Sequence, residues 1–466
     1  MVQGRKNIDA TAGPLFSKII AFVIPLMLTN LIQQLYSMAD SIVVGQFSGD
    51  PNALAEIGCT ASLVALLTAF VTGFSAGAGV LTAKHFGARD YESLSQSVHT
   101  SFLFSVIIGV ALSAVSLLLS KPILDLLGTK PELANGALVY VRILLVGIPA
   151  VSVYNFSAAA LRAVGDSKTP FYILTASGLL NVFLNLFFVI VMGMSIDGVA
   201  IATVAAQYAS AIAVTTVLLM RKSESYRIVP SKLSLHAPTL RSIIRIGLPA
   251  AIQASLFGIT NLFLTAALNG FDASVISART IAFSIDTLLA TVASTYVTVT
   301  MTFGGQNYGA RKYSRIKKTF FYSLLQVFVL GVSAGALMII FNEPLVRIYV
   351  AADAPNISDV IAAAKIIMTI MLTSYPIGFV NDAMTGFLRG LGRSILPMIV
   401  SILGICVFRI IWILFVFPSL GTVFWLFMVY PISWAICLLG NSIMSFAVMK
   451  KIKSELAEPL PLNVSN

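Results

Sequence analysis

The sequence predicts an all-α integral membrane protein: 12 transmembrane helices in two six-helix bundles related by a pseudo-twofold axis along the membrane normal. Three observations predict it. The chain is 58% hydrophobic and 11% charged, with a mean hydropathy of +0.92, whereas soluble domains carry about 25% charged residues. Apolar runs of roughly 20 residues, long enough to cross a bilayer, recur from end to end. The chain also states one pattern twice. Gly87-Ala88-Arg89-Asp90-Tyr91 returns 222 residues later as Gly309-Ala310-Arg311-Lys312-Tyr313, and Leu161-Arg162-Ala163-Val164-Gly165 returns 227 later as Leu388-Arg389-Gly390-Leu391-Gly392. Ile24-Pro25 likewise returns as Leu248-Pro249, and Ile148-Pro149 as Tyr375-Pro376. Four markers in one order at nearly one offset mark a tandem duplication.

The spans fall, in order, at 17–45, 54–81, 94–120, 136–160, 170–192 and 196–220, then at 241–268, 275–303, 318–342, 361–387, 394–418 and 421–448. Six per half is an even number, so both halves enter from the same side and form parallel repeats. Residues 1–220 are expected to form an amino lobe and 241–466 a carboxyl lobe with its tail. The segment 221–240 is polar, basic and broken by Pro230 and Pro238, and reads as the linker. Duplicated membrane halves are the architecture of secondary transporters, which puts transport first among functions.

Charge sets the orientation. With both termini cytoplasmic, the inner segments hold 23 of the 30 basic residues, from Arg5, Lys6 and Lys18 to Lys450, Lys451 and Lys453. The outer side holds 6, and Arg409 lies inside a span. This is a positive-inside pattern for a multi-pass protein of the cell membrane. The net charge of +11 then reflects topology and contact with anionic lipid, and no basic soluble surface for nucleic acid exists. The Gly-Ala-Arg stretches are expected at cytoplasmic helix ends, glycine permitting the turn and arginine meeting lipid phosphate or a helix C-terminus.

Several chemistries are excluded. No G-x-x-x-x-G-K-[ST] loop is present, so the energy source would be an ion gradient. Cys59, Cys406 and Cys437 have no paired spacing and read as small membrane residues. His85, His99 and His236 fall in or near inner loops, away from any deep nucleophile or metal cluster, so no enzyme is expected and no cofactor beyond the coupling ion. No ring of like charges or filter loop favours a channel.

Intramembrane charge marks where the chemistry lies, because each such group is costly. Asp40 sits in span one, 15 residues beyond the kinking Pro25, or about 22 Å along a helix. A carboxylate there must be protonated, paired or bound to a cation; the alternative is a residue at the outer end of the span. Span five offers Asn181 and Asn185, one turn apart on one face, and span six offers Thr203 with Gln207 one turn on. Oxygen donors around one carboxylate suit a hard cation such as Na⁺, and the same carboxylate accepts a proton. The carboxyl lobe carries Asp286 in span eight, Asp382 in span ten and Arg409 in span eleven. A buried arginine keeps its charge, so Arg409 is expected to pair with Asp286 or Asp382, while Asp382 alternatively caps near the inner end. Gln33, Gln34, Tyr36, Gln253, Asn261 and Tyr296 are candidates for a wet cavity. The 15 Met and 30 Phe suit adaptable ligand surfaces but also lipid-facing ones.

These residues carry a resemblance. Pro25 with Asp40, Gly87-Ala88-Arg89, Leu161-Arg162-Ala163-Val164-Gly165-Asp166-Ser167-Lys168-Thr169-Pro170, Gly304-Gly305-Gln306-Asn307-Tyr308-Gly309-Ala310 and Leu388-Arg389-Gly390 resemble the multidrug and toxic compound extrusion (MATE) family over nearly the whole chain. The resemblance implies export of cationic, amphipathic compounds driven by inward flow of Na⁺ or H⁺. In one branch an Asp in span one, an Asn and an Asp one turn apart in span five, and a Thr in span six form the amino-lobe cation site. Asp40, Asn181 and Thr203 match that pattern; Asn185 departs from it, which leaves the coupling ion open. Another branch uses a Glu in span seven, where this chain has Gly258. The second functional reading is a lipid-linked sugar flippase of the same superfamily, disfavoured by 12 spans and a single deep Arg409. Both lobes lie in one chain, so a monomer is expected.

Overall fold

The computed structural model describes residues 7–47, 52–126, 128–268, 270–349 and 357–457. Arg5 and Lys6, counted above among the inner charges, lie outside the described residues. The first half comprises α1 (Leu15–Phe47), α2 (Ala53–Ala88), α3 (Tyr91–Leu126), α4 (Pro131–Val146), α5 (Ile148–Ala163), α6 (Lys168–Leu186, running on as a π-helical turn at Phe187–Val191) and α7 (Ile196–Met220). The second comprises α8 (Ala237–Leu268), α9 (Ala273–Gly309), α10 (Tyr313–Ile340), the short α11 (Asn342–Tyr349) and α12 (Ile357–Gly390). It closes with α13 (Ile395–Ser401), α14 (Phe408–Ile411) and α15 (Phe417–Leu420), joined by π-helical turns, then α16 (Val423–Phe427) and α17 (Val429–Ala457). Among the described residues, 11 helices are long and apolar enough to cross a membrane, and the bent pair α4–α5 makes up to 12. Large apolar side chains point outward, with Leu126 86%, Leu118 80% and Phe415 76% exposed. In water each would forfeit about 1.5–3 kcal/mol of burial; in lipid they are at home. This is a multi-span, all-α membrane protein.

The fourth expected span is not straight. It bends by 40° between α4 and α5, where Pro149 brings no N–H to the ladder. Carbonyls near the break are met by side chains: Ser113 donates to Leu145 O at 2.7 Å and Tyr208 to Val146 O at 3.0 Å. Within a bilayer such groups must be satisfied internally.

The repeated motifs are repeated helix ends. Arg89 (φ +56°) and Arg311 (φ +55°) close α2 and α9; Gly165 (φ +90°) and Gly392 (φ +77°) close α5 and α12. After each, an amide reaches back five residues: Asp90 to His85 O at 3.1 Å, Lys312 to Asn307 O at 3.0 Å, Asp166 to Leu161 O and Arg393 to Leu388 O at 2.9 Å. This left-handed cap satisfies the last carbonyls of a helix. In the Gly-Ala-Arg loops the arginine, and not the glycine expected from sequence, takes the left-handed conformation.

The chain forms two compact units. The first comprises Met1–Asp9, Ala21–Phe86 and Asp90–Gly258. Within it α3 packs on α5, and α4, α5 and α6 pack on α7. One of its cores joins Leu94, Val98, Tyr154, Leu161, Val214 and Leu218 to Tyr226 and Ile228. The last two belong to the segment read from sequence as a linker, which is therefore docked and not loose. Asp166, placed just beyond the α5 cap, forms an ion pair with Arg221 and accepts from the Thr169 amide at 2.9 Å and hydroxyl at 2.7 Å. Arg221 also donates to the Tyr226 hydroxyl at 2.5 Å, and the Val229 amide to His99 Nε2 at 2.9 Å. Burial works against the charge on Arg221, but Asp166 and Tyr226 outweigh it and hold its pKa above the ordinary value.

The second unit comprises Ala10–Ile20, Gly87–Arg89 and Ile259–Asn466. Its central helix is α12, which packs on α9, α10 and α17. Gly386 and Gly390 let α12 reach the α9 backbone: a Cβ would fall 2.4 Å from Val297 O at the first and 2.6 Å from Met301 O at the second. Small residues four apart are the usual means of close helix approach in membranes. Arg315 holds the peptide before α1 by the carbonyls of Ala10 (2.8 Å), Ala12 (2.9 Å) and Gly13 (3.1 Å).

Candidate functional site

In the first unit, α1, α6 and α7 bring together the four residues expected around a coupling ion. Asn185 Nδ2 donates to Asp40 Oδ1 at 2.5 Å, and Thr203 Oγ1 to Asp40 Oδ2 at 3.4 Å. Asn181 Nδ2 donates to Thr203 Oγ1 at 3.3 Å, and its Oδ1 accepts from Asn185 at 3.4 Å. The i, i+4 spacing on α6 puts both amides on the face that meets α1 and α7. Asn185 is fully buried and Asn181 is 5% exposed. With its NH₂ turned to the carboxylate, Asn185 leaves Oδ1 buried and without a hydrogen bond. Val43, Val44, Val189 and Val199, with Tyr140 and Leu144 of α4, form the apolar packing around these helices. Tyr36 ties α1 to α6: its hydroxyl donates to Thr175 O at 3.0 Å, and its ring occupies the space a side chain at Gly178 would fill. Pro25 lies inside α1, and its carbonyl accepts from the Thr29 hydroxyl at 2.7 Å. Gln34 is partly exposed on α1, and Gln33 is exposed. Gln253 is 5% exposed, which removes it from the open lining expected of it.

The second unit corrects one expectation outright. Arg409 forms no ion pair with Asp286 or Asp382 among the described residues. Its Nε donates to Ser433 Oγ at 2.9 Å, and its guanidinium lies 4.2 Å from the Tyr430 ring centroid and 5.9 Å from that of Trp434. Asp286 instead accepts from the Tyr375 hydroxyl at 2.7 Å. Asp382 is exposed on α12. Tyr296, expected in a wet cavity, is 6% exposed, with its hydroxyl 3.5 Å from Gln326 Oε1. Asn261 is partly exposed on α8, its backbone carbonyl accepting from Thr265 at 3.0 Å.

The sequence profile of the MatE family matches residues 25–187 and 249–415, both halves of the duplication. The chain belongs to the MATE family. Relatives of this MATE protein include a probable multidrug resistance protein YoeA of Bacillus subtilis, 25% identical over 82% of this chain and 83% of that one. The probable multidrug resistance protein NorM of Thermotoga maritima is 24% identical over 84% of each chain. The multidrug export protein MepA of Staphylococcus aureus is 22% identical over 96% of this chain and 97% of its own. Among solved structures, an outward-facing multidrug resistance MATE transporter of the MOP superfamily superposes with a TM-score of 0.85 at 22% identity, over 97% of this chain and 99% of that one. A MOP superfamily transporter from Pyrococcus furiosus does so with a TM-score of 0.82 at 21% identity, over 97% and 98%. The fold is theirs.

The residue types gathered around Asp40 in this MATE chain suit a hard monovalent cation once the Asn185 amide, whose NH₂ faces the carboxylate, is turned over to present its oxygen. They supply one carboxylate, the Thr203 hydroxyl and two amide oxygens, one of them the unpartnered Asn185 Oδ1. The sequence reading passed over a second buried polar cluster. Asn441 on α17 donates to Asn381 Oδ1 at 2.8 Å and Thr385 Oγ1 at 3.3 Å on α12. Its signal was available: an Asn in the apolar run 421–448 is the same kind of anomaly that singled out Asn181.

Proposed function

We propose that this MATE protein is an ion-coupled antiporter that exports amphipathic, often cationic compounds across the cell membrane by alternating access. The single observation that carries the reading is Asp40, a lone carboxylate held among neutral donors of α6 and α7 within apolar packing. Such a group is stable there only when neutralised, so its occupancy by Na⁺ or H⁺ couples to helix packing. The names of the relatives support drugs as the cargo.

In the proposed cycle an ion entering from outside neutralises Asp40. Helices α1, α6 and α7 repack, and Pro25 absorbs a bend in α1. The lobes 1–220 and 241–466 rock and the compound leaves outward. Both termini face the cytoplasm, and one chain suffices because it contains both lobes. Transport of ethidium by proteoliposomes, with ΔpH and Na⁺ gradients imposed separately, tests the reading. Movement driven by either gradient supports it, and none under both contradicts it.

A further inference from the structure

Two consecutive residues of α3 hold the docked segment after α7 by its backbone. His99 Nε2 accepts from the Val229 amide at 2.9 Å. The Thr100 hydroxyl accepts from the His236 amide at 3.2 Å and donates to Ser234 O at 3.3 Å. His236 directly precedes α8, and its carbonyl accepts from the Leu240 amide at 2.9 Å. The path from Val229 to the first turn of α8 is thus pinned to α3, all of it within the first unit.

The partners of His99 fix the state of its ring. Nδ1 lies 2.7 Å from Ser95 O. A carbonyl only accepts, so Nδ1 carries the hydrogen. Nε2 faces a backbone amide, which only donates, so Nε2 carries none. The docked ring is therefore neutral. A protonated imidazole is a donor at both nitrogens and has no acceptor left. It would set an N–H against the Val229 N–H, and that amide would lose its acceptor. His99 is 2% exposed, but residues 230–232 and 234–238 of the segment are exposed, so opening of the segment brings water to the ring.

Other titratable groups surround this end of α3. His85 of α2 lies 2.8 Å from Ser97 Oγ through its own Nδ1. Tyr154 and Arg162 belong to α5, Arg241 and Arg245 to α8, and Tyr226, Arg227 and His236 to the segment. Glu224 and Lys232 are exposed, and Asp166 is held by Arg221. Among the described residues none of these groups bonds to the His99 ring, so no side-chain charge there takes over from the Val229 amide.

We propose that His99 is a proton-operated latch: the segment after α7 stays docked while the ring is neutral and is released when the ring takes up a proton. Histidine is the side chain that ordinarily changes charge between about pH 5 and 8. The released state binds the proton, so docking weakens as pH falls, by up to about ten-fold per pH unit for one linked proton. Release loosens the lead into α8, the covalent joint between the two halves of the duplication. The latch reads the pH on the side where the segment lies, which is the cytoplasm in the topology proposed above. It does not otherwise depend on the antiport reading.

The test is hydrogen exchange of peptides covering 226–236 in the purified full-length protein at about pH 7.5 and about pH 5.5, corrected for the intrinsic pH dependence of exchange. The wild type is expected to lose about ten-fold in protection there at the lower pH, with α5 peptides unchanged. His99→Gln keeps an uncharged acceptor that takes up no proton in this range, and its protection should be the same at both values. His85→Gln and His236→Gln should each retain the wild-type loss, and they keep the proposal falsifiable if His99→Gln does not fold. Protection independent of pH in the wild type, a loss that persists in His99→Gln, or a loss that disappears in His85→Gln or His236→Gln overturns it.

Discussion

Asn185 Nδ2 sits 2.5 Å from Asp40 Oδ1, so an amide occupies the place where the resembling family branch has a second carboxylate. That exchange lowers the negative charge of the site by one. The carboxylate still has partners, but neutral ones, and the remaining Asn185 oxygen is left without a donor.

Asn185→Asp restores the second carboxylate. Without a cation the two acids repel across the same short distance, and the variant should melt earlier than wild type at low Na⁺ and neutral pH. Saturating Na⁺ should recover it, by about 2.7 kcal/mol at one hundred times the Kd. Thermal unfolding against Na⁺ concentration checks this, and an equal Na⁺ response in both proteins would contradict it.

The docked segment after α7 depends on Asp166. Asp166→Ala strands Arg221, whose side chain is 17% exposed, and breaking a buried pair from one side costs about 3–5 kcal/mol. Trypsin should then cut at Lys222, Arg227 and Lys232 about ten-fold faster than in wild type, because local opening exposes them. An unchanged cleavage rate would show that the apolar anchors Tyr226 and Ile228 hold the segment by themselves.

Close approach of α12 to α9 makes Gly386 intolerant of even a methyl group, since its Cβ would lie 2.4 Å from Val297 O. Gly386→Ala should lower stability by about 1–3 kcal/mol. Gly258→Ala is the control: nothing lies within 4 Å of that Cβ, and in a helix the change should stabilise by up to about 1 kcal/mol. Melting curves in one detergent compare the two.

Asp90 caps α3 by accepting from the Ser93 amide at 3.0 Å, and the Ser93 hydrogen bonds hold its carboxyl below the usual range. A depressed acid stabilises the fold above its unfolded pKa and loses that contribution as pH falls through the folded value. Asp90→Ala should therefore cost roughly 1 kcal/mol at pH 7, and the difference from wild type should shrink steadily below about pH 4. A difference independent of pH would mean that the charge plays no part in the cap.

The spans and the duplication were legible because bilayer thickness and positive-inside charge act on composition alone. The Asp40 cluster was legible for a similar reason: a carboxylate at depth, two amides at i, i+4 and a hydroxyl in the next span need only helical periodicity to converge. What failed needed distances between helices. Arg409 was assigned an acidic partner on charge alone, whereas aromatic faces and Ser433 met it first. Gln253 and Tyr296 are polar enough for a wet lining but are packed between helices. The 40° bend at Gly147 has a proline as its signal, yet nothing local says that Ser113 and Tyr208 will satisfy the nearby carbonyls. Tyr226 and Ile228 were hidden inside a basic, proline-broken stretch, where two apolar residues are enough to dock it.

The most direct measurement compares wild type with Asp40→Asn for gradient-driven ethidium transport in proteoliposomes, under whichever of ΔpH or Na⁺ drives the wild type. The variant is permanently neutral at that position and keeps the shape of the side chain, so it should fold and bind ethidium while its gradient-driven transport falls to background. Transport that persists in Asp40→Asn at the wild-type rate would contradict the assignment of Asp40 as the coupling residue.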